Sequence, residues 1–288
     1  MAPHEVIATL RILHEAYAGW NRHHTPHLAA ALSFYLAFSL APLLVIAIAI
    51  ASIAIGRQHA VQDVLGPLSL LVGTSGARFL TNLVNGLSRP APNIVAASVG
   101  IAALVLGASG AFTQLQDALN IVFDTHGRPA TVWRIFQVRF LSFFMALTIG
   151  FVLIGLELFN ALVAGYARIF GQVSQGGGWL ESAGILASFV VVGFLFAALF
   201  RYVPDVRVPW RDALPGGYFT AALFLLGQIG LSLYVGHTVF SSIHGAAAAG
   251  LIILTWLYYS SSVVFFGAEF TRAYANSRQQ ELPALETP

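Results

Sequence analysis

The sequence predicts an all-α integral membrane protein with six transmembrane helices, an N-terminal interfacial helix and short amphipathic helices between the first two spans. Two observations carry this expectation. From Leu28 to Ile55 the chain runs 28 residues without a charged side chain, and comparable apolar runs recur five more times before residue 272. A helix rises about 1.5 Å per residue and a bilayer core is about 30 Å thick, so about 20 such residues suffice to cross. Composition agrees: hydrophobic residues make up 57% of the chain and charged residues 9%, far outside a soluble mixture.

Taken in order, Val6, Leu10, Leu13, Tyr17 and Trp20 fall at helical spacing, with Arg11, His14, Glu15, Arg22 and His23 mostly on other faces. That pattern predicts a helix lying at the membrane surface over residues 1–27. The membrane domain, 28–273, follows. Its expected spans are Leu28 to Ile55, Ile94 to Phe112 with a polar extension to about Phe123, Phe140 to Leu162, Ser182 to Phe200, Ala213 to Val235, and Ala246 to Phe266. Between the first two, Gly66, Pro67, Gly73, Gly76 and Gly86 break residues 57–92 into short amphipathic pieces. Residues 274–288 are expected to form a disordered cytoplasmic tail. Ten arginines fall on the side that holds both termini and four on the other, so both termini are expected in the cytoplasm and the protein in a bacterial inner membrane.

Several classes of chemistry are excluded. All 14 basic residues are Arg, and they are scattered rather than gathered into a tract, so no nucleic-acid partner is expected. Cysteine is absent, which removes disulfides, thiol nucleophiles and Cys-ligated metals. A phosphate-binding P-loop needs a Lys, and there is none. His23, His24 and His27 are read as interfacial side chains rather than metal ligands, because no carboxylate near them in sequence could orient them. No cofactor or metal is expected.

The candidate site residues are polar groups that persist in an apolar chain, where each costs about 2.5–3.5 kcal/mol at a span centre. Thr113, Asp117, Asn120 and Asp124 share one helical stripe after the second span, and Glu157 and Asn160 lie inside the third. Glu269 and Arg272, spaced i and i+3, are expected to pair at the end of the sixth. Between the fourth and fifth spans, Asp212 is a plausible N-cap, Pro215 falls in the first turn, and Arg207 and Arg211 crowd a positive helix start suited to an anion such as a lipid phosphate. Pro42 should kink the first span, and Pro204 helps to shape the turn before the fifth. Asp117, Asn120, Arg207, Arg211 and Glu269 are thus the expected substrate-binding set, with Pro42, Pro204, Asp212 and Pro215 structural.

Several motifs together make the chain similar to the YihY/BrkB family of bacterial inner-membrane proteins. They are Ala29-Ala30-Ala31-Leu32-Ser33-Phe34-Tyr35 with Phe38-Ser39-Leu40-Ala41-Pro42-Leu43, then Leu119-Asn120-Ile121, then Tyr202-Val203-Pro204 with Arg207-Val208 and Arg211-Asp212-Ala213-Leu214-Pro215-Gly216. Trp256-Leu257-Tyr258-Tyr259 and Gly267-Ala268-Glu269-Phe270-Thr271 complete the set. The resemblance covers nearly the whole length and implies a six-span, all-helical protein. The family also carries virulence and ribonuclease labels. Hydrolysing RNA would need an acid and base pair or a metal cluster in a water-exposed site, and the short loops offer no such set. The functional expectation is therefore a transporter or lipid-handling permease rather than an enzyme, with membrane lipids, anionic ones in particular, a small substrate and further copies of the chain as partners. A membrane enzyme or an envelope scaffold is the alternative.

Overall fold

The computed structural model describes residues 3–39, 56, 59, 81, 110–125, 178–237 and 245–284. Among them there is no strand. Six helical stretches carry the description: α1 (Pro3–Arg22), α2 (25–39), α3 (110–122), α4 (Gly178–Tyr202), α5 (Trp210–His237) and α6 (Gly245–Ala284). The expected fourth, fifth and sixth spans fall inside α4, α5 and α6, the first begins in α2, and the polar extension of the second is α3. The third span, Pro42, Glu157 and Asn160 lie outside the described residues.

Among the described residues one helix, Trp210–Gly230 within α5, is long and apolar enough to cross a membrane by length and composition, and Leu186–Tyr202 in α4 is a shorter apolar helix. Side-chain exposure adds an independent signal. Leu186, Val190 and Phe194 form an exposed i, i+4, i+8 stripe on α4, Leu226 and Ile229 an i, i+3 pair on α5, and Leu251, Leu254 and Tyr258 an i, i+3, i+7 stripe on α6. Leaving a Leu or Phe in water forfeits about 1.5–3 kcal/mol each, so stripes of this kind belong in hydrocarbon.

The chain divides into two compact units. The first comprises Met1–His23, Gln116–Leu223 and Val264–Pro288. Its helices meet through small residues. On α5, the Thr220 hydroxyl donates to the Gly216 carbonyl at 2.7 Å, and on α6 the Thr271 hydroxyl donates to the Gly267 carbonyl at 2.7 Å. Each threonine then sits over the other helix's glycine, so that a Cβ added at Gly216 would lie 1.8 Å from Thr271 Oγ1 and one at Gly267 would lie 1.8 Å from Thr220 Oγ1. The hydroxyls are satisfied within their own helices, which lets the two backbones approach without orphaned polar groups. Phe219 and Phe270 stack beside this contact with centroids 4.1 Å apart.

Three expectations change here. α1 was expected to lie flat on its Leu10–Tyr17 stripe, but a neighbouring stripe faces protein: Ile12 and Ala16 pack with Ala273, Phe266, Phe270 and Tyr274. Leu10 and Tyr17 remain exposed and keep the apolar outer stripe. Asp212 is not the N-cap. α5 begins at Trp210, with Asp212 and Ala213 both donating their amides to Pro209 O at 3.0 Å, so Asp212 sits inside the first turn and Pro215 lies within the helix. Finally, α6 runs through Ala284 instead of giving way to a tail at 274, because its later turns have partners: Ala273 and Ser277 are buried, and Arg278 Nη1 donates to Asp212 Oδ1 at 2.9 Å. At about 1.5 Å per residue its 40 residues extend about 60 Å, twice a bilayer core.

The second unit comprises His24–Leu115 and Phe224–Val263. Small residues again admit aromatic rings: a Cβ at Gly110 would meet the Tyr35 ring at 2.7 Å, and one at Gly227 would meet the Tyr259 ring at 1.9 Å. Ser260, Ser261 and Ser262 bury hydroxyl oxygens that have no hydrogen-bond partner among the described residues.

Candidate functional site

The C-terminal end of α3 organises the polar groups of the first unit, and its backbone shows how. Thr125 donates its amide to Asn120 O at 2.9 Å and Asp124 donates to Ile121 O at 3.1 Å, with Asp124 at φ 51°. This is the Schellman termination, whose left-handed position is ordinarily glycine. An aspartate tolerates that conformation better than most residues, and here its side chain is used.

Asn120 points the other way, to the turn between α4 and α5. Its Nδ2 donates to Asp205 Oδ2 at 3.1 Å while its Oδ1 accepts the Asp205 amide at 2.8 Å, and Gln116 Nε2 reaches Asp205 Oδ1 at 3.4 Å. Arg201 holds the same turn from α4: its guanidinium lies over the Trp210 ring at 5.2 Å and its Nη1 donates to Val208 O at 2.8 Å. Pro204 is buried in this turn. The expected Asp117–Asn120 stripe therefore splits, because Asn120 is buried while Asp117 is exposed. Partial burial, and then the charge of Asp205, raise the Asp117 carboxyl above the usual range.

Asp124 turns toward α6 and meets a network that local spacing could not foresee. His23, in the turn that ends α1, places Nδ1 2.7 Å from Glu269 Oε1. Its Nε2 lies 3.2 Å from Arg272 Nη1 and 3.4 Å from Asp124 Oδ1, and Arg272 Nη2 pairs directly with Asp124 Oδ2. A guanidinium only donates. In neutral His23 the Nδ1 proton is thus donated to Glu269 and Nε2 accepts from Arg272. The expected Glu269–Arg272 pair is the longest contact of the set, at 4.0 Å. The reading of His23 as an interfacial side chain is overturned, since its side chain is 8% exposed and its carboxylate partner stands 246 residues away in sequence.

Glycine at position 19 makes room for this. A Cβ there would lie 2.3 Å from Glu269 Oε2, so α1 can press against the carboxylate only where it has no side chain. Between α1 and the second half of α6 a polar cavity of about 380 Å³ opens, with Gly19 and Glu269 in its wall and His14, Arg22, Arg272 and Asn276 around it. Among the described residues no group of three or more His, Asp and Glu side chains is arranged to hold a metal ion.

The remaining expected residues stand apart. Arg207 and Arg211 are exposed and have no ion-pair or hydrogen-bond partner among the described residues, because Asp205 is taken by Asn120 and Gln116, and Asp212 by Arg278. Arg207 lies in irregular backbone before α5 and Arg211 in its first turn, so they do not share a helical face. The structure thus joins Asn120 to the α4–α5 turn, Glu269 to His23, and neither to Asp117.

Comparison with known proteins is consistent with this architecture. A family model described as "Virulence factor BrkB" matches residues 16–287. The chain is 33% identical to a UPF0761 membrane protein of Alkalilimnicola ehrlichii over 86% of its own length and 54% of that protein's. It is 30% identical to one from Azoarcus sp. over 96% of this chain and 66% of that protein, and 34% identical to one from Methylibium petroleiphilum over 62% and 42%. The matches therefore span 42% to 66% of the length of these relatives. No solved structure matches.

Proposed function

Because the chain belongs to the BrkB family of membrane proteins, we propose that it is a multi-pass inner-membrane permease, with six spans and both termini in the cytoplasm, that moves a small or lipid-derived anionic solute. The observation that carries this reading is the buried Glu269 carboxylate, held by His23 in the wall of a polar cavity of about 380 Å³. Ionisable groups kept inside a membrane protein mark solute and proton paths, since burying them is otherwise costly. The unpartnered buried hydroxyls of Ser260, Ser261 and Ser262 are a second polar feature on an apolar helix. A hydrolytic reading has less support, because the turn 203–209 is closed by Asn120 and Arg201 rather than opened around an acid and base pair.

Arg207 and Arg211 supply the anionic preference. Two exposed guanidiniums flank the start of α5, where the helix dipole also favours a phosphate. Each contact near a surface is worth about 1 kcal/mol, so Arg207→Ala with Arg211→Ala should weaken anionic lipid binding about 30-fold. Replacement of both by Lys should weaken it measurably, because an ammonium cannot make bidentate phosphate contact. Native mass spectrometry with anionic and zwitterionic lipids checks this. Equal retention of anionic lipid by wild type and the double Lys variant would reject the specific site and leave the arginines as orientation signals.

A further inference from the structure

The His23 network has the form of a path rather than a brace. Side-chain exposure falls from 54% at Asp124 to 8% at His23 and 1% at Glu269, so the three groups lead from solvent into the protein. His23 touches both carboxylates with different nitrogens, Nε2 toward Asp124 and Nδ1 toward Glu269. The charges that face it are Asp124 after α3 and Glu269 and Arg272 on α6, with Arg22 and His24 its neighbours in sequence and His14 and Glu15 farther back on α1, lining the same cavity as Glu269. With His23 neutral, the two carboxylates and the Arg272 guanidinium leave this contact set with one net negative charge, and one added proton brings it to neutrality.

Two backbone compromises point the same way. Gly19 weakens α1 by about 1 kcal/mol relative to alanine, and Asp124 occupies a left-handed position that glycine fills at less cost. A cluster that served only to tie α1, α3 and α6 together would need neither a histidine nor an aspartate at that turn. Arg278 and Asp212 tie α5 to α6 with a simple pair.

We infer that His23 is a proton carrier between exposed Asp124 and buried Glu269, and that the permease is coupled to proton movement through this site. A proton arriving by way of Asp124 adds to Nε2, giving the imidazolium. The Nδ1 proton then passes to Glu269 Oε1, leaving a neutral carboxylic acid and the other imidazole tautomer, and ring reorientation resets the carrier. The coupling rests on the permease reading, whereas the relay does not.

Infrared spectra of the full chain in lipid, recorded as the pH is lowered, test the relay without any transported solute. The carbonyl stretch of a protonated carboxylic acid should appear in the wild type and be lost in Glu269→Gln. In His23→Gln its midpoint should move up, because the Nδ1–H donated to the carboxylate, which favours its charged form, is gone. In Asp124→Asn, which keeps the left-handed turn, the band should form about 100-fold more slowly after a pH jump. The amide bands of the same spectra report whether each variant is folded, and the His23 and Asp124 variants suffice if Glu269→Gln is not. No acid band in the wild type, an unmoved midpoint in His23→Gln or an unchanged rate in Asp124→Asn would overturn the relay while leaving an uncoupled permease standing. Failure of solute uptake in proteoliposomes with the infrared result intact would instead overturn the permease.

Discussion

Gly217→Ala should be the most damaging single-methyl change in the first unit, destabilising the protein by about 3 kcal/mol. An added Cβ would lie 2.4 Å from Gly193 O, 2.5 Å from Ala197 N and 2.7 Å from Ala197 Cβ, so two of the three clashes are with the backbone of α4. A side chain can swing aside, but a helix backbone can yield only by moving as a body. Moving α4 away from α5 would in turn disturb the buried Ala197, Val208 and Ala213 cluster and the Arg201–Val208 hydrogen bond that shapes the turn between them. Thermal unfolding of the purified protein in detergent checks this. Gly230→Ala, where nothing lies within 4 Å of the added carbon, is the control and should be neutral or slightly stabilising, since alanine is the better helix former. Equal stability of the two variants would contradict the packing described for α4 and α5.

Glu269→Ala should cost about 3 kcal/mol, for an electrostatic reason. The carboxylate is 1% exposed and accepts from His23 at 2.7 Å, and its loss leaves the buried His23 Nδ1 without its acceptor while Arg272 keeps Asp124. Breaking a buried pair from one side costs about 3–5 kcal/mol, and the ion pair that Arg272 keeps with Asp124 places this case at the lower end. If the pair acts as a unit, His23→Ala with Glu269→Ala should cost about 1–2 kcal/mol less than the two single changes together. Strict additivity in the same unfolding assay would mean that the two side chains do not interact.

How much of this was legible in sequence depended on distance along the chain. Apolar runs are local, and they led directly to the helices at 178–202, 210–237 and 245–284. Asn120 and Glu269 stood out for the same reason, as polar residues next to apolar stretches, and both are buried. Their partners were not legible. Glu269 and Arg272 share a helix face, so spacing favoured their pairing, yet a residue 246 positions away takes the shorter contact. Asp212 followed by a proline resembles a helix cap, but Pro209 supplies the first carbonyl and the carboxylate is left for Arg278. The length of α6 was underread because its last turns are polar in sequence, and what keeps them helical is contact with α1 and α5. The 3.6-residue repeat placed Asp117 with Asn120, but an offset of three residues turns about 60° around the helix, enough here to leave one exposed and the other buried. The one clue to His23 was Gly19, a glycine one helical turn before it that invites a close neighbour.

Labelling of single cysteines in a chain that has none of its own tests the central claim, a membrane-embedded protein with a water-filled polar cavity on its cytoplasmic side. Asn276 borders the cavity on α6, and Leu226 is 64% exposed on the apolar face of α5. In sealed vesicles, Asn276→Cys should react with a membrane-impermeant thiol reagent only when the cytoplasmic face is outward, and Leu226→Cys should react only with a lipid-soluble one. Reaction of Leu226→Cys with the impermeant reagent, or protection of Asn276→Cys from both sides, would contradict the account.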